Sequence, residues 1–334
     1  MTAVPATFPA FVATRDGETV RREVRALTEA DLPPGEVLVR VAWSGVNYKD
    51  ALATIPDGRV ARISPLVPGI DLAGEVVASA DPAVPAGSAV LAHGYEIGVS
   101  RHGGYAAFAR VPSAWVVPLP ASLTPRLAMA VGTAGFTAAM AVLALEGRGL
   151  RPGDGPVLVT GASGGVGSAA VGILAARGHE AWAASGKPEE ADRLRGLGAA
   201  GILGRDEVVA ASPRPLGSER WAGAIDSVGG PTLPYVLRTM RRGGTIAATG
   251  NAGGPAFATT VFPFILRSVA LVGIDSAQVP IAERRAIWER MASDLRPRGL
   301  GEALTEVTLA TLPEALDGIL AGRACGRWIV RIGG

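Results

Sequence analysis

Over the first 120 or so residues, apolar and polar positions alternate in short runs, EVLVRVAWSGV, LAGEVVAS, SAVLAHG and AAFARVP, separated by Gly/Pro turns such as DLPPGE and DPAVPAGS. Period-two alternation at this spacing predicts short strands, and so a β-rich, barrel-like domain. From Leu127 the rhythm changes. PVLVT leads into a helix running to Ala176, EAWAAS into PEEADRLRGLG, and GILG, GAIDSV, PTLPYVLRTM, GTIAATG and VALVGID follow. Apolar strands alternating with helical stretches imply parallel strands joined by crossovers, a doubly wound α/β sheet. After Asp275 come an Arg/Glu-rich helix, a strand near EALTEVTL, a helix near PEALDGILA and a last strand, RWIVRI, expected to rejoin the first domain.

Composition fits this division. The 334 residues exceed one comfortable core, so two domains are expected, one of residues 1–123 and 298–334, the other of 124–297. A net charge of +2 spreads 32 basic among 30 acidic residues without a Lys/Arg run, which argues against nucleic-acid and membrane-surface roles. One cysteine, Cys325, excludes an internal disulfide and a four-cysteine zinc lobe. The N-terminus has no basic start followed by an apolar core, so no signal peptide is expected and a cytoplasmic protein fits. Leu127–Leu145 is charge-free and close to membrane-spanning length, but its Ala, Gly and Thr partition weakly into lipid, which favours a buried helix.

Chemistry concentrates at VLVTGASGGVGSAAVGILAARG, residues 157–178, where a strand runs into Gly161, Gly164, Gly165 and Gly167 and then an Ala/Val-rich helix. Glycines at that junction let backbone N–H groups approach a pyrophosphate at a helix N-terminus, the mark of a dinucleotide site. An NAD-selective site places Asp or Glu at the end of the next strand. Here that strand ends AASGK: Ser185 and Gly186 leave room, and Lys187 adds the charge that suits the 2′-phosphate of NADP. Arg205, in LGRDE, is placed to come alongside.

The only histidines are His93, His102 and His179, and none is spaced with Cys325 as a zinc-ligand set. His93 and His102 are expected in loops. With no nucleophile–histidine arrangement in prospect, the chemistry must come mainly from the nicotinamide. Asn47, Tyr48, Lys49 and Asp50 stand together between a strand and a helix start. Asn or Asp there is explained by capping, with Lys49 and Asp50 paired to each other or to solvent, but Tyr48 is not.

PGIDLAGEV, GGYAAFARVP, VLVTGASGGVG, GAIDSVGG and GGTIAATG, in this order, resemble the zinc-independent members of the medium-chain dehydrogenase/reductase superfamily. Where zinc-dependent relatives carry a ligand Cys and a His-Glu, this chain has Ser44 to Tyr48 and Ile70-Asp71. NYKDALA, SGK, GRDE, WAGAIDSVGG and TTVFPFILR further resemble the bacterial acryloyl-CoA reductase subgroup, also labelled quinone oxidoreductases. The resemblance implies a Rossmann domain plus a GroES-like barrel domain and a homodimer, with the VALVGID strand pairing to its copy. It also implies NADPH contacts from Tyr48, from Ser163, Gly164, Gly165 and Val166, and from Ser185, Gly186, Lys187 and Arg205. Asn251, Ile265, Ser276 and Arg327 would contact the nicotinamide half. Lys187 replaces the family's Arg, keeping the charge but losing bidentate geometry.

The activity so implied is reduction of the C=C bond of an enoyl thioester, acryloyl-CoA to propanoyl-CoA, with Tyr48 at the cleft mouth beside the nicotinamide as the catalytic candidate; Tyr48, a backbone N–H or the cofactor ribose could donate to the thioester oxygen. Reduction of a quinone on the same cofactor is the nearest alternative. A non-catalytic NADPH-binding or RNA-associated role is a third, and the lack of a basic, aromatic-bearing patch argues against RNA.

Overall fold

The structure, a computed structural model, describes residues 4–209, 212, 214–302 and 304–333. The chain divides into two compact units: Met1–Thr133, Ala277–Glu289 and Gly301–Gly334 form the first, Ala134–Ser276 and Arg290–Leu300 the second.

The first unit begins with a hairpin of β1 (Phe8–Asp16) and β2 (Thr19–Leu27). The strands are in antiparallel register from Phe8↔Leu27 to Asp16↔Thr19, and the turn uses Gly17 at φ 58°. Sequence reasoning missed these strands, although a glycine at the first position of a two-residue turn between alternating runs is a local hairpin signal. There follow β3 (Val37–Val46), α1 (Tyr48–Leu52), β4 (Asp71–Ser79), β5 (Ala89–His93), β6 (Phe108–Val111) and β7 (Val117–Pro118). Apolar side chains from β3, β4 and β5, among them Val39, Val41, Leu72, Val76 and Val90, close one core around the sheet.

Next comes α2 (Pro125–Gly147), broken at Gly132, whose φ 53° and ψ −163° are non-helical. It is apolar and long enough to cross a membrane, yet 72% of its most apolar window is buried inside the protein. The second unit then alternates as β8 (Val157–Thr160), α3 (Gly165–Ala176), β9 (Ala181–Ser185), α4 (Ala191–Gly196) and β10 (Gly201–Gly204). It continues with β11 (Trp221–Asp226), α5 (Thr232–Thr239), β12 (Met240–Ala248), α6 (Phe262–Arg267) and β13 (Ala270–Gly273). The six strands pair in parallel in the order β10-β9-β8-β11-β12-β13. This is the doubly wound Rossmann order, whose direction of winding reverses at β8, and ligands bind at the carboxyl ends of the strands where it reverses. β8 is VLVT, buried on both faces, as a central parallel strand requires.

The chain ends with α7 (Ile281–Met291), β14 (Leu304–Thr308), α8 (Leu312–Leu320) and β15 (Arg327–Arg331). β15 pairs antiparallel with β3, Trp328 opposite Val46, and completes a sheet ordered β14-β15-β3-β4-β5-β7 with β6 also on β3. That pairing carries Arg327 to the start of α1. His93 departs from expectation: it is the last residue of β5 and fully buried, its ring against Arg284 and accepting the Trp288 indole N–H at 2.9 Å. Burial, with the Arg284 charge, holds its pKa well below the usual histidine value. His102 is partly buried in a loop, where Nδ1 accepts the Val67 N–H at 3.2 Å.

Candidate active site

In the second unit, the carboxyl end of β8 turns through Gly161, whose φ of 61° an L side chain rarely adopts, and enters α3 with Gly164 as its N-cap. A methyl group on Gly167 would stand 2.6 Å from the Cα of Ala162, so only glycine lets α3 lie this close to the strand. The first N–H groups of α3 have no partner within the helix and, with the turn, offer donors of the kind that can take a pyrophosphate. Ser163, Gly164, Gly165 and Val166 are therefore the loop itself.

β9 ends at Ser185, whose hydroxyl donates to the Ser163 hydroxyl at 3.1 Å and accepts the Lys187 N–H at 3.0 Å. One side chain thus ties the glycine loop to the Ser-Gly-Lys turn. The Arg205 guanidinium occupies the space a Cβ on Gly186 would need. Ser185, Gly186, Lys187 and Arg205 therefore converge, with no carboxylate at the end of the strand. Arg193, which sequence reasoning missed, joins them: Nη2 donates to the Ser163 carbonyl at 3.1 Å and Nε to Glu190 at 2.5 Å. The signal available was the i,i+3 spacing of Glu190 and Arg193 after Lys187.

The neighbouring strand ends are laced together. Asp226, at the end of β11 and fully buried, accepts from Thr160 Oγ1 at 2.5 Å and from the Gly229 N–H at 2.8 Å. Burial raises its pKa. Ser227 and Thr249 share a hydroxyl hydrogen bond at 2.9 Å, which fixes the loop after β12. Asn251 is exposed in that loop, its carbonyl accepting the Gly254 N–H at 2.8 Å. Ile265 is 66% exposed on α6. Ser276 accepts a hydrogen bond from Thr137 Oγ1 at 2.8 Å.

In the first unit, Tyr48 opens α1 with its side chain 47% exposed. Asp50 behaves otherwise than expected. It is fully buried, and its carboxylate accepts N–H groups from Asn47 at 2.9 Å, Gly69 at 3.1 Å and Ile70 at 2.8 Å. Burial, reinforced by the charge of Asp71, pushes its pKa up to about 7. Asp71 accepts the Gly45 N–H at 2.7 Å and the Thr133 N–H at 3.0 Å, and Asn47 bridges the two carboxylates through Nδ2. Arg327, only 7% exposed, donates to the carbonyls of Ala130, Val46 and Met129 and to Asn47 Oδ1 at 3.0 Å, with Nη2 3.7 Å from Asp71. These partners all lie within the first unit.

These donors do not fit a zinc ion. The Asp50 and Asp71 carboxylates are already filled by N–H groups, Arg327 supplies the local positive charge, and Ser44 donates to the Asp71 carbonyl at 2.6 Å. Among the described residues, no group of three or more His, Cys, Asp or Glu is placed to hold a metal.

Comparison with known proteins bears on this geometry. Residues 33–121 match the family model of the alcohol dehydrogenase GroES-like domain, and 165–293 that of the zinc-binding dehydrogenases. The acrylyl-CoA reductase AcuI of Ruegeria pomeroyi is 49% identical over 97% of this chain and 99% of its own length. YhfP of Bacillus subtilis, which carries a provisional quinone oxidoreductase name, is 46% identical over 97% of this chain and 99% of its own. Its structure with NAD bound superposes with a TM-score of 0.95, covering 98% of this chain and 99% of that one. The yhdH oxidoreductase of Salmonella enterica, solved with NADP, is 48% identical over 97% of this chain and 100% of its own, with a TM-score of 0.94.

Proposed function

This chain belongs to the medium-chain dehydrogenase/reductase family and, within it, to the acryloyl-CoA reductase and quinone oxidoreductase subgroup; we propose that it reduces the C=C bond of a short 2-enoyl thioester, acryloyl-CoA to propanoyl-CoA, with NADPH. The observation that carries the cofactor choice is the carboxylate-free end of β9, where Lys187 and Arg205 flank Gly186 and Ser185 reaches the glycine loop. A 2′-phosphate needs such cations, whereas the ribose hydroxyls of NAD need an acceptor there. The substrate class is supported by 49% identity, over nearly the full length of both chains, to an acrylyl-CoA reductase.

Bound NADPH supplies the hydride that ends on the β-carbon of the enoyl group. Conjugation sends the displaced electron pair toward the thioester oxygen, so the protein must present a hydrogen-bond donor there. We assign that role to the Tyr48 hydroxyl, which its exposed position leaves available to a ligand. The α-carbon then takes a proton from water. Lys187, Arg205 and the α3 N-terminus hold the cofactor phosphates, and the donor set around Asp50 and Asp71 makes the enzyme zinc-independent. A cytoplasmic homodimer formed through β13 belongs to the same reading, since pairing would cover an otherwise open sheet edge.

Quinone reduction is the second reading, favoured by the name carried by YhfP. The test is NADPH oxidation with acryloyl-CoA, crotonyl-CoA and a small quinone in parallel. Turnover of acryloyl-CoA well above the quinone supports the proposal, and quinone turnover with no thioester activity overturns it.

A further inference from the structure

We propose that the second unit carries, at the end of its sheet opposite the glycine loop, a separate site for a small multivalent phosphate, a pyrophosphate or phosphate ester. A cavity of about 310 Å3 lies there, lined by residues preceding β8 and by the first residues of β11 and β12. That volume falls at the lower end of small-ligand sites, about 300 to 1,000 Å3. Three arginines, Arg148, Arg241 and Arg242, are among its lining residues with Asp154, and Leu145 and Leu150 are among the apolar ones.

One lining arginine is held in place, while Arg148, Arg242 and Asp154 are exposed. Arg241 is fixed, Nη1 donating to the Asp154 carbonyl at 2.6 Å, and its guanidinium fills the space a Cβ on Gly155 would occupy. Gly155 has φ 129°, a conformation that favours glycine for a second reason. Asp154 is committed locally, accepting the Arg151 N–H at 2.8 Å. Glu219 accepts the Arg242 backbone N–H at 2.9 Å and faces Arg267 at 3.5 Å. Elsewhere in this unit arginines close on carboxylates, as Arg177 does with Glu146 at 2.6 Å and Arg290 with Asp294 at 2.5 Å. Arg148 and Arg242, by contrast, have no side-chain acceptor among the described residues. Planar guanidiniums present paired donors that match phosphate oxygens, and three around one small cavity favour an anion of more than one charge.

The test is calorimetric titration of inorganic pyrophosphate into protein saturated with NADP+, so that the glycine-loop site is already filled. One binding event is expected. Removing one charge-assisted phosphate contact should weaken it by about tenfold in Arg148→Ala and in Arg242→Ala, and the double variant should abolish it while the KM for NADPH stays as in the parent. No heat in the saturated protein, unchanged affinity in the double variant, or equal displacement by sodium chloride at matched ionic strength would each overturn the site.

Discussion

The guanidinium of Arg205 lies against Gly186, so that a methyl group there would stand 2.6 Å from both Nε and Nη2. The glycine that leaves room at the end of β9 is also what lets the arginine just after β10 reach the turn.

Gly186→Ala is expected to push Arg205 aside at little cost in stability, because the far end of a flexible side chain gives way. Lys187→Ala removes the second cation. Each should raise the KM for NADPH by about tenfold, the worth of one charge-assisted contact, with the KM for NADH nearly unchanged. Steady-state kinetics with both cofactors measure this, and parallel loss with NADH would sink the phosphate assignment.

Gly167→Ala meets backbone rather than a movable side chain, the Cα of Ala162 at 2.6 Å. Overpacking of this kind costs about 1 to 3 kcal/mol. Denaturant unfolding should show that loss, and NADPH binding should weaken because the loop is displaced.

Asp50 makes stability depend on pH. Its folded pKa of about 7 exceeds the unfolded value, so between about pH 4 and 7 the folded protein holds a proton that the unfolded chain has lost. Stability from this group therefore falls as pH rises through that window, at up to about 1.4 kcal/mol per unit. Asp226, also raised, acts in the same direction, while His93 acts oppositely, since its depressed pKa makes the unfolded state the better proton binder below about 6.5. The clean readout is a difference: wild type minus Asp50→Asn, from denaturation at several pH values, should decline from pH 4 to 7. A flat difference would show that Asp50 titrates normally.

Tyr48→Phe keeps the ring and removes the hydroxyl from an exposed position, so folding should be unaffected. If the hydroxyl serves the thioester oxygen, kcat falls by about 100-fold with little change in KM for NADPH. An unchanged kcat would remove Tyr48 from the chemistry.

Arg327→Met leaves the Asp71 carboxylate and several carbonyls without their cation. Breaking a buried ion pair on one side costs about 3 to 5 kcal/mol. Thermal unfolding is expected to register this more strongly than cofactor KM does, and the reverse order would show that Arg327 acts mainly on the cofactor.

Whatever depends on local backbone geometry and periodicity is already legible in the order of residues. Gly161 and Gly167 sit where a positive φ and a close helix approach permit no other residue, and alternating strands and helices specify a doubly wound sheet. The exchange of a carboxylate for Ser185-Gly186-Lys187 is a matter of residue type at a known offset. Which polar residues become buried, and with what, follows from long-range packing. Asn47 and Asp50 look like a cap and a solvent-facing acid until the chain closes them in with Asp71 and, as β15 pairs with β3, with Arg327, and His93 looks like a loop residue until α7 brings Trp288 to its ring. Those contacts join residues tens to hundreds of positions apart, and no local pattern encodes them. Their energetics arise from removing charge from water, which happens only once the distant strands and helices have closed over it.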